Sequence, residues 1–169
     1  MLTNRSFLIA SLLAVAACSD EPMGPKSPPS VVQSATTPRV QLNGIVVLPG
    51  SEMAPAYLRV GSDLVPLRGN EAVVITHVEG AQVSVVGTQD SDPGVIVESF
   101  QVLAVRGHAV VDGTLELVPG GAYAIRLATG ALYMIVDAPA DLIVHLGARI
   151  WLTTSATEPL EFGVIRNTQ

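Results

Sequence analysis

Asn43-Gly44-Ile45-Val46-Val47-Leu48, followed by Pro49-Gly50, returns as Asp112-Gly113-Thr114-Leu115-Glu116-Leu117, with Val118 inserted before Pro119-Gly120. The correspondence continues in order along the chain. Leu58-Arg59-Val60 matches Ile125-Arg126-Leu127, and Gly80-Ala81-Gln82-Val83-Ser84-Val85 matches Gly147-Ala148-Arg149-Ile150-Trp151-Leu152. Asp92-Pro93 matches Glu158-Pro159. The offset drifts from 69 to 66 residues. Collinear order with small gaps is what a duplicated structural unit leaves behind.

Within each copy the pattern is that of strands. Val occurs 24 times, and β-branched side chains suit a pleated, half-buried surface. Apolar runs are short and bounded by Gly, Pro, Asn and Asp. Several alternate with period two, as at Val83 and Val85 or Ile150 and Leu152, which argues for half-buried strands. Five strands are expected per copy. They cover roughly 40–48, 56–60, 63–67, 81–88 and 94–104, then roughly 109–118, 122–128, 131–136, 148–154 and 160–166. No stretch of helical spacing is long enough to mark a full helix, although 137–146 has room for a single turn.

In both copies a longer connection separates the third and fourth strands. Five strands with that interruption resemble an OB-fold, a small Greek-key barrel. The element G-x-x-V-x-V at Gly80–Val85, repeated with Ile and Leu at Gly147–Leu152, is similar to strand four of such barrels. The body as a whole resembles the tandem OB-like domains of bacterial envelope lipoproteins. The resemblance implies an all-β fold of two five-stranded barrels, repeat 1 over 39–105 and repeat 2 over 106–169. Each copy has about 65 residues, a size that buries only about 60% of its unfolded surface, so the two are expected to pack together. Arg106-Gly107-His108 is too short for a free linker.

Upstream of the body, the chain reads as an address. Met1–Arg5 carries one positive charge, and Phe7–Ala17 is an apolar run broken only by Ser11. That run is shorter than the roughly 20 residues that span a bilayer and suits a signal-peptide core. It ends Val15-Ala16-Ala17-Cys18, which resembles a lipobox, with the chain's single cysteine in register. The resemblance implies a signal peptide over 1–17 and lipid attachment at Cys18. Ser19, where an Asp would imply inner-membrane retention, points to the outer membrane. Residues 18–38 hold Pro22, Pro25, Pro28, Pro29 and Pro38 among Ser and Thr. Such a Pro-rich segment is a semi-extended tether.

Composition narrows the function classes. Acidic residues number 15 against 9 Lys and Arg, for a net charge of −6, which opposes phosphate binding and hence nucleic acid. One cysteine excludes a disulfide scaffold. A membrane β-barrel needs two aromatic girdles, and six aromatics after the signal segment are too few. The chain lacks G-x-S-x-G, H-E-x-x-H and P-loop signatures. His77, His108 and His145 lie 31 and 37 residues apart, which matches no metal-ligand spacing. Asp90-Ser91-Asp92-Pro93-Gly94 is turn chemistry and lacks the further ligands of a calcium loop. No catalytic residue, metal or cofactor is therefore expected.

Binding candidates come from strand alternation. If Ile150 and Leu152 face the core, Arg149 and Trp151 face away from it. There Trp151 either covers apolar surface where the two copies meet or presents a binding face. Tyr57 and Arg59 share a face opposite Leu58 and Val60. Aromatic plus Arg is the chemistry of interface hot spots and of stacking. The expected function is a membrane-anchored, non-enzymatic interaction module in the cell envelope, whose partner is an envelope protein or polymer. The alternative is a small-ligand or saccharide binder, and a further alternative is an envelope hydrolase.

Overall fold

The computed structural model describes residues 38–48, 56–89, 94–154 and 160–167. The expected signal segment, Cys18 and the linker through residue 37 lie outside the described residues, as does most of the Asp90–Gly94 turn. The body is all-β. In chain order its strands are β1 (Arg39–Val47), β2 (Tyr57–Val60), β3 (Asp63–Arg68), β4 (Gln82–Gln89) and β5 (Val95–Val105), then β6 (His108–Leu117), β7 (Tyr123–Leu127), β8 (Leu132–Ile135), β9 (Arg149–Thr153) and β10 (Phe162–Arg166). Two short helices interrupt them. α1 (Asn70–Ile75), extended by a 3-10 turn at Thr76–Val78, separates β3 from β4, and α2 (Ala140–Ile143) separates β8 from β9.

The first five strands close on themselves. β1 pairs antiparallel with β2 and with β4, β2 with β3, and β4 with β5. A short parallel pairing of Leu67 and Arg68 with Val95 and Ile96 joins β3 to β5 and completes the ring. Closure removes sheet edges that would otherwise expose unpaired backbone groups.

The second five strands repeat the first pairing by pairing. Val46 lies opposite Leu58 and Leu115 opposite Ile125. Gly44 lies opposite Val83 and Gly113 opposite Ile150. Leu58 lies opposite Val65 and Ile125 opposite Tyr133. Two connecting hydrogen bonds recur as well: Gly80 N–H to Val46 O (2.9 Å) with Ala81 O accepting from Val46 N–H (3.0 Å), and Gly147 N–H to Leu115 O (2.8 Å) with Ala148 O accepting from Leu115 N–H (3.0 Å). The last strand breaks the correspondence. β10 pairs with β9, but among the described residues it makes no pair with β8, so the second set stays open there.

Each set has its own core, and β10 contributes to both. Leu115, Ile125, Ile135, Leu142, Ile150 and Leu152 fill the second, with Phe162 and Val164 of β10 packed against them. Ile165 instead sits fully buried in the first core, among Leu58, Ile75 and Val83. Strand alternation explains the switch, since successive side chains point to opposite faces. A β-bulge falls at the same place, where Val164 lies opposite Ile150 and Arg166 opposite Arg149 and Ile165 is the extra residue. The docking is reinforced by the His77 Nδ1–H, which donates to Ile165 O (2.8 Å), and by Arg166 paired with Glu71 of α1 (2.6 Å).

α1 departs from the sequence-based expectation. Val73, Val74 and Ile75 are weak helix formers, and the element is too short to show a full amphipathic period. Its one signal is the spacing of Ala72, Ile75 and Val78, all buried against the first core.

Gly44 and Gly113 occupy the same place in the two sets, and both are required by close backbone approach. A Cβ on Gly44 would overlap the Arg59 carbonyl oxygen, and one on Gly113 the Arg126 carbonyl oxygen. Gly113→Ala is therefore expected to cost about 1–3 kcal/mol, as overpacking does. A urea midpoint unchanged from the parent chain would contradict this close approach.

Candidate functional site

Strands β5 and β6 form a hairpin over the Arg106-Gly107 turn, in which both residues have positive φ (51° and 87°). This matches the twist of tight two-residue hairpins. The hairpin holds only two residue pairs, Val105 with His108 and Ala104 with Ala109. Beyond them β5 follows β4, while β6 turns to β7 and β9. The divergence leaves a cleft of about 320 Å³, lined by Ser99–Gln101 of β5, Asp112–Thr114 of β6, Arg126–Ala128 at the end of β7, and Arg149 of β9.

Asp112 is the pivot of this cleft. Its side chain is 3% exposed, and it is the only buried charged residue among those described. Arg149 grips it bidentately, Nε to Oδ1 at 2.8 Å and an Nη to Oδ2 at 2.7 Å. The same Nη donates to Phe100 O (2.6 Å), and the guanidinium lies over the Phe100 ring, 4.3 Å from its centroid. Val102 N–H donates to Asp112 Oδ2 (2.7 Å). One carboxylate thus ties β5, β6 and β9 together where the backbone ladder between β5 and β6 has ended. Bidentate charge-assisted bonds of this kind are about twice as strong as neutral ones.

A second ion pair stands at the rim. Arg126 binds Glu116 bidentately at 2.7–2.9 Å and donates to Gly130 O (3.3 Å). The hydrogen bond from Arg126 holds the Glu116 carboxyl below its usual range. Because its folded pKa is depressed, the pair's contribution is present above the ordinary Glu value and is lost as pH falls through the lowered one.

The four residues expected to bind are placed on different strands. Arg149 and Trp151 are neighbours on β9, and Arg149 opens onto the cleft while engaged with Asp112. Trp151 does not line the cleft. It packs against the first core and lies across Gly163 of β10, where any Cβ would overlap its indole. Tyr57 and Arg59 are on β2 of the first ring, Tyr57 half-buried and Arg59 exposed. His145 contacts the Phe162 ring at 5.9 Å, so His77 and His145 both touch β10. Among the described residues no three His, Cys, Asp or Glu cluster as a metal site would require.

Asp112 was legible only in retrospect. The repeat places it at Asn43, and Arg149 at Gln82. Two neutral polar positions in the first copy become opposite charges in the second.

A second surface has different chemistry. Eight of the twelve exposed large hydrophobic residues described lie in the second set. Leu132, Tyr133 and Met134 are 43, 36 and 50% exposed and occupy consecutive positions of β8. Among the described residues β8 pairs only with β7.

Two outcomes check this geometry. Asp112→Ala should destabilise the fold by about 3–5 kcal/mol, the cost of stranding one member of a buried pair, and Arg149→Met added to it should cost little more. Additive losses in that double-mutant cycle would show that the two side chains do not act together. By carboxyl-detected NMR, Glu116 should titrate below an ordinary Glu, and Arg126→Gln should return it to the ordinary value.

Comparison of the chain with protein-family models, with curated proteins and with solved structures finds no match.

Proposed function

We propose that the chain is a lipid-anchored protein of the bacterial envelope, attached through Cys18 to the outer membrane, whose body is a non-enzymatic interaction module. The body is read as two OB-like units, 39–105 and 106–169. The pairing order β1-β2-β3-β5-β4 returning to β1, with a helix between the third and fourth strands, supports that reading for the first unit. The register-by-register repetition supports it for the second. The observation that carries the functional reading is the apolar strand β8, which among the described residues pairs on one side only. Such an edge is a template for strand addition, in which main-chain hydrogen bonds supply affinity and side chains supply selectivity.

A second reading, a small polar ligand such as a saccharide, is favoured by the cleft at Asp112. Its volume falls at the lower end of small-molecule sites. Ser99, Gln101 and Thr114 offer hydroxyl and amide groups there.

Crosslinked capture from the native envelope tests the first reading. Lys26 is the only lysine, so the crosslinker should target carboxylates. The expected result is a protein partner captured with the parent chain and lost with Met134→Lys, and release of Cys18→Ala from the membrane pellet. Capture that is indifferent to Met134→Lys would remove β8 as the binding edge. Cys18→Ala remaining fully in the membrane would remove the anchor.

A further inference from the structure

The cleft at Asp112 carries a row of side chains that differs from its counterpart in the first ring. Thr114 of β6 lies opposite Arg126 of β7 on one side and opposite Arg149 of β9 on the other. Directly opposed residues share a face of a sheet. The three therefore stand side by side, with the hydroxyl between two guanidinium groups, and all three line the cleft. The matching row of the first ring runs Arg59, Ile45, Gln82. Ile45 is 41% exposed there. Where the first copy has an isoleucine and an amide, the second has a hydroxyl and a guanidinium, and it is the second row that faces the cleft.

The charges in this row are already answered. Asp112 accepts from Nε and Nη2 of Arg149, and Glu116 accepts from Arg126. Compensated cations leave little field to draw in an anion. What remains is hydrogen-bonding capacity. Arg149 Nη1 and the Thr114 hydroxyl have no partner among the described residues. Ser99 and Gln101 add a hydroxyl and an amide from the β5 wall. Arginine only donates, whereas hydroxyl and amide groups both donate and accept. A ligand that satisfies this mixture must itself do both. Sugar hydroxyls do, while an ionised carboxylate offers acceptors alone. Gly113 and Leu127 supply surface without polar side chains, against which the C–H face of a sugar ring can lie. We propose that the cleft binds a neutral saccharide, Arg149 Nη1 donating to one sugar hydroxyl and Thr114 Oγ1 bonding a neighbouring one. This rests on the small-ligand reading of the cleft and names its ligand class and the two groups that read it. A neutral ligand leaves the buried Asp112–Arg149 pair intact, so binding requires no rearrangement of the carboxylate.

The test is NMR of the isotope-labelled full chain in phosphocholine micelles, which carry no sugar headgroup. Glucose, maltose and di-N-acetylchitobiose are titrated in, with sodium citrate as the anionic probe. The expected result is saturable movement of the Gly113 and Thr114 amides and of the Arg149 Nε–H with at least one sugar, and none with citrate. Thr114→Ile, which places the first-ring residue in the row, should weaken binding at least about tenfold, since it removes a hydrogen bond and obstructs the cleft. Gln101→Ala should weaken it less. Ile45→Thr, in the row of the first ring, should leave it unchanged. Amide spectra that match the parent chain away from the substituted residue confirm that each variant is folded. Saturation by glucose identifies a free sugar as sufficient, and a requirement for a disaccharide identifies a unit of a glycan chain.

Citrate moving these signals where the sugars do not would overturn the neutral class and leave the cleft a small-ligand site. Sugar binding that is indifferent to Thr114→Ile, or that moves only signals elsewhere in the chain, would overturn the row as the site and leave a saccharide binder. Signals that no probe moves would remove both the ligand class and the small-ligand reading.

Discussion

The structure turns on how a buried Asp112 is held. Backbone pairing between β5 and β6 stops after two residues, and past that point only side chains connect the first ring to the second set through this face. The carboxylate accepts from Val102 on one side and Arg149 on the other, while Arg149 reaches on to the Phe100 carbonyl. Burying a lone carboxylate would be prohibitive, but one whose oxygens are all engaged is tolerated and fixes geometry. The cleft follows from this arrangement, since strands held apart by a salt bridge leave space where strands held by a ladder would not. Arg149 therefore belongs to the architecture first, and any ligand in the cleft meets a guanidinium whose charge is already compensated.

The duplication, the ten strands and their approximate limits were legible because strand periodicity and turn residues are local signals. Glycines such as Gly44 and Gly113 add to them, since close backbone approach imposes the same residue twice. What sequence could not supply was long-range. The equivalence of Asp112 and Arg149 with Asn43 and Gln82 shows two changed positions, but their contact depends on how β6 leaves β5. The placement of Trp151 against the first core depends on β10 crossing toward α1. α1 itself was hidden because tertiary burial of Ala72, Ile75 and Val78 overrides the poor helix preference of Val73 and Val74.

The asymmetry between the copies has a physical origin in the fifth strand. β5 has eleven residues, enough to serve β4 along most of its length, close on β3 and still enter the hairpin with β6. β10 has five, and one of them, Ile165, goes to the first core. Among the described residues it makes no pair with β8. The attachment of β10 to α1 and its absence from β8 are thus two aspects of one difference between the fifth and tenth strands.

Ile165 also bears on the order in which the chain can be assembled. The strands of the first ring end at Val105, yet its core contains a side chain from the last strand. As the polypeptide emerges in sequence, the N-terminal ring must wait, with a hole beneath α1 open to water, until β10 arrives. Stable burial of the first core is thereby deferred to the end of synthesis, when the last strand has been made.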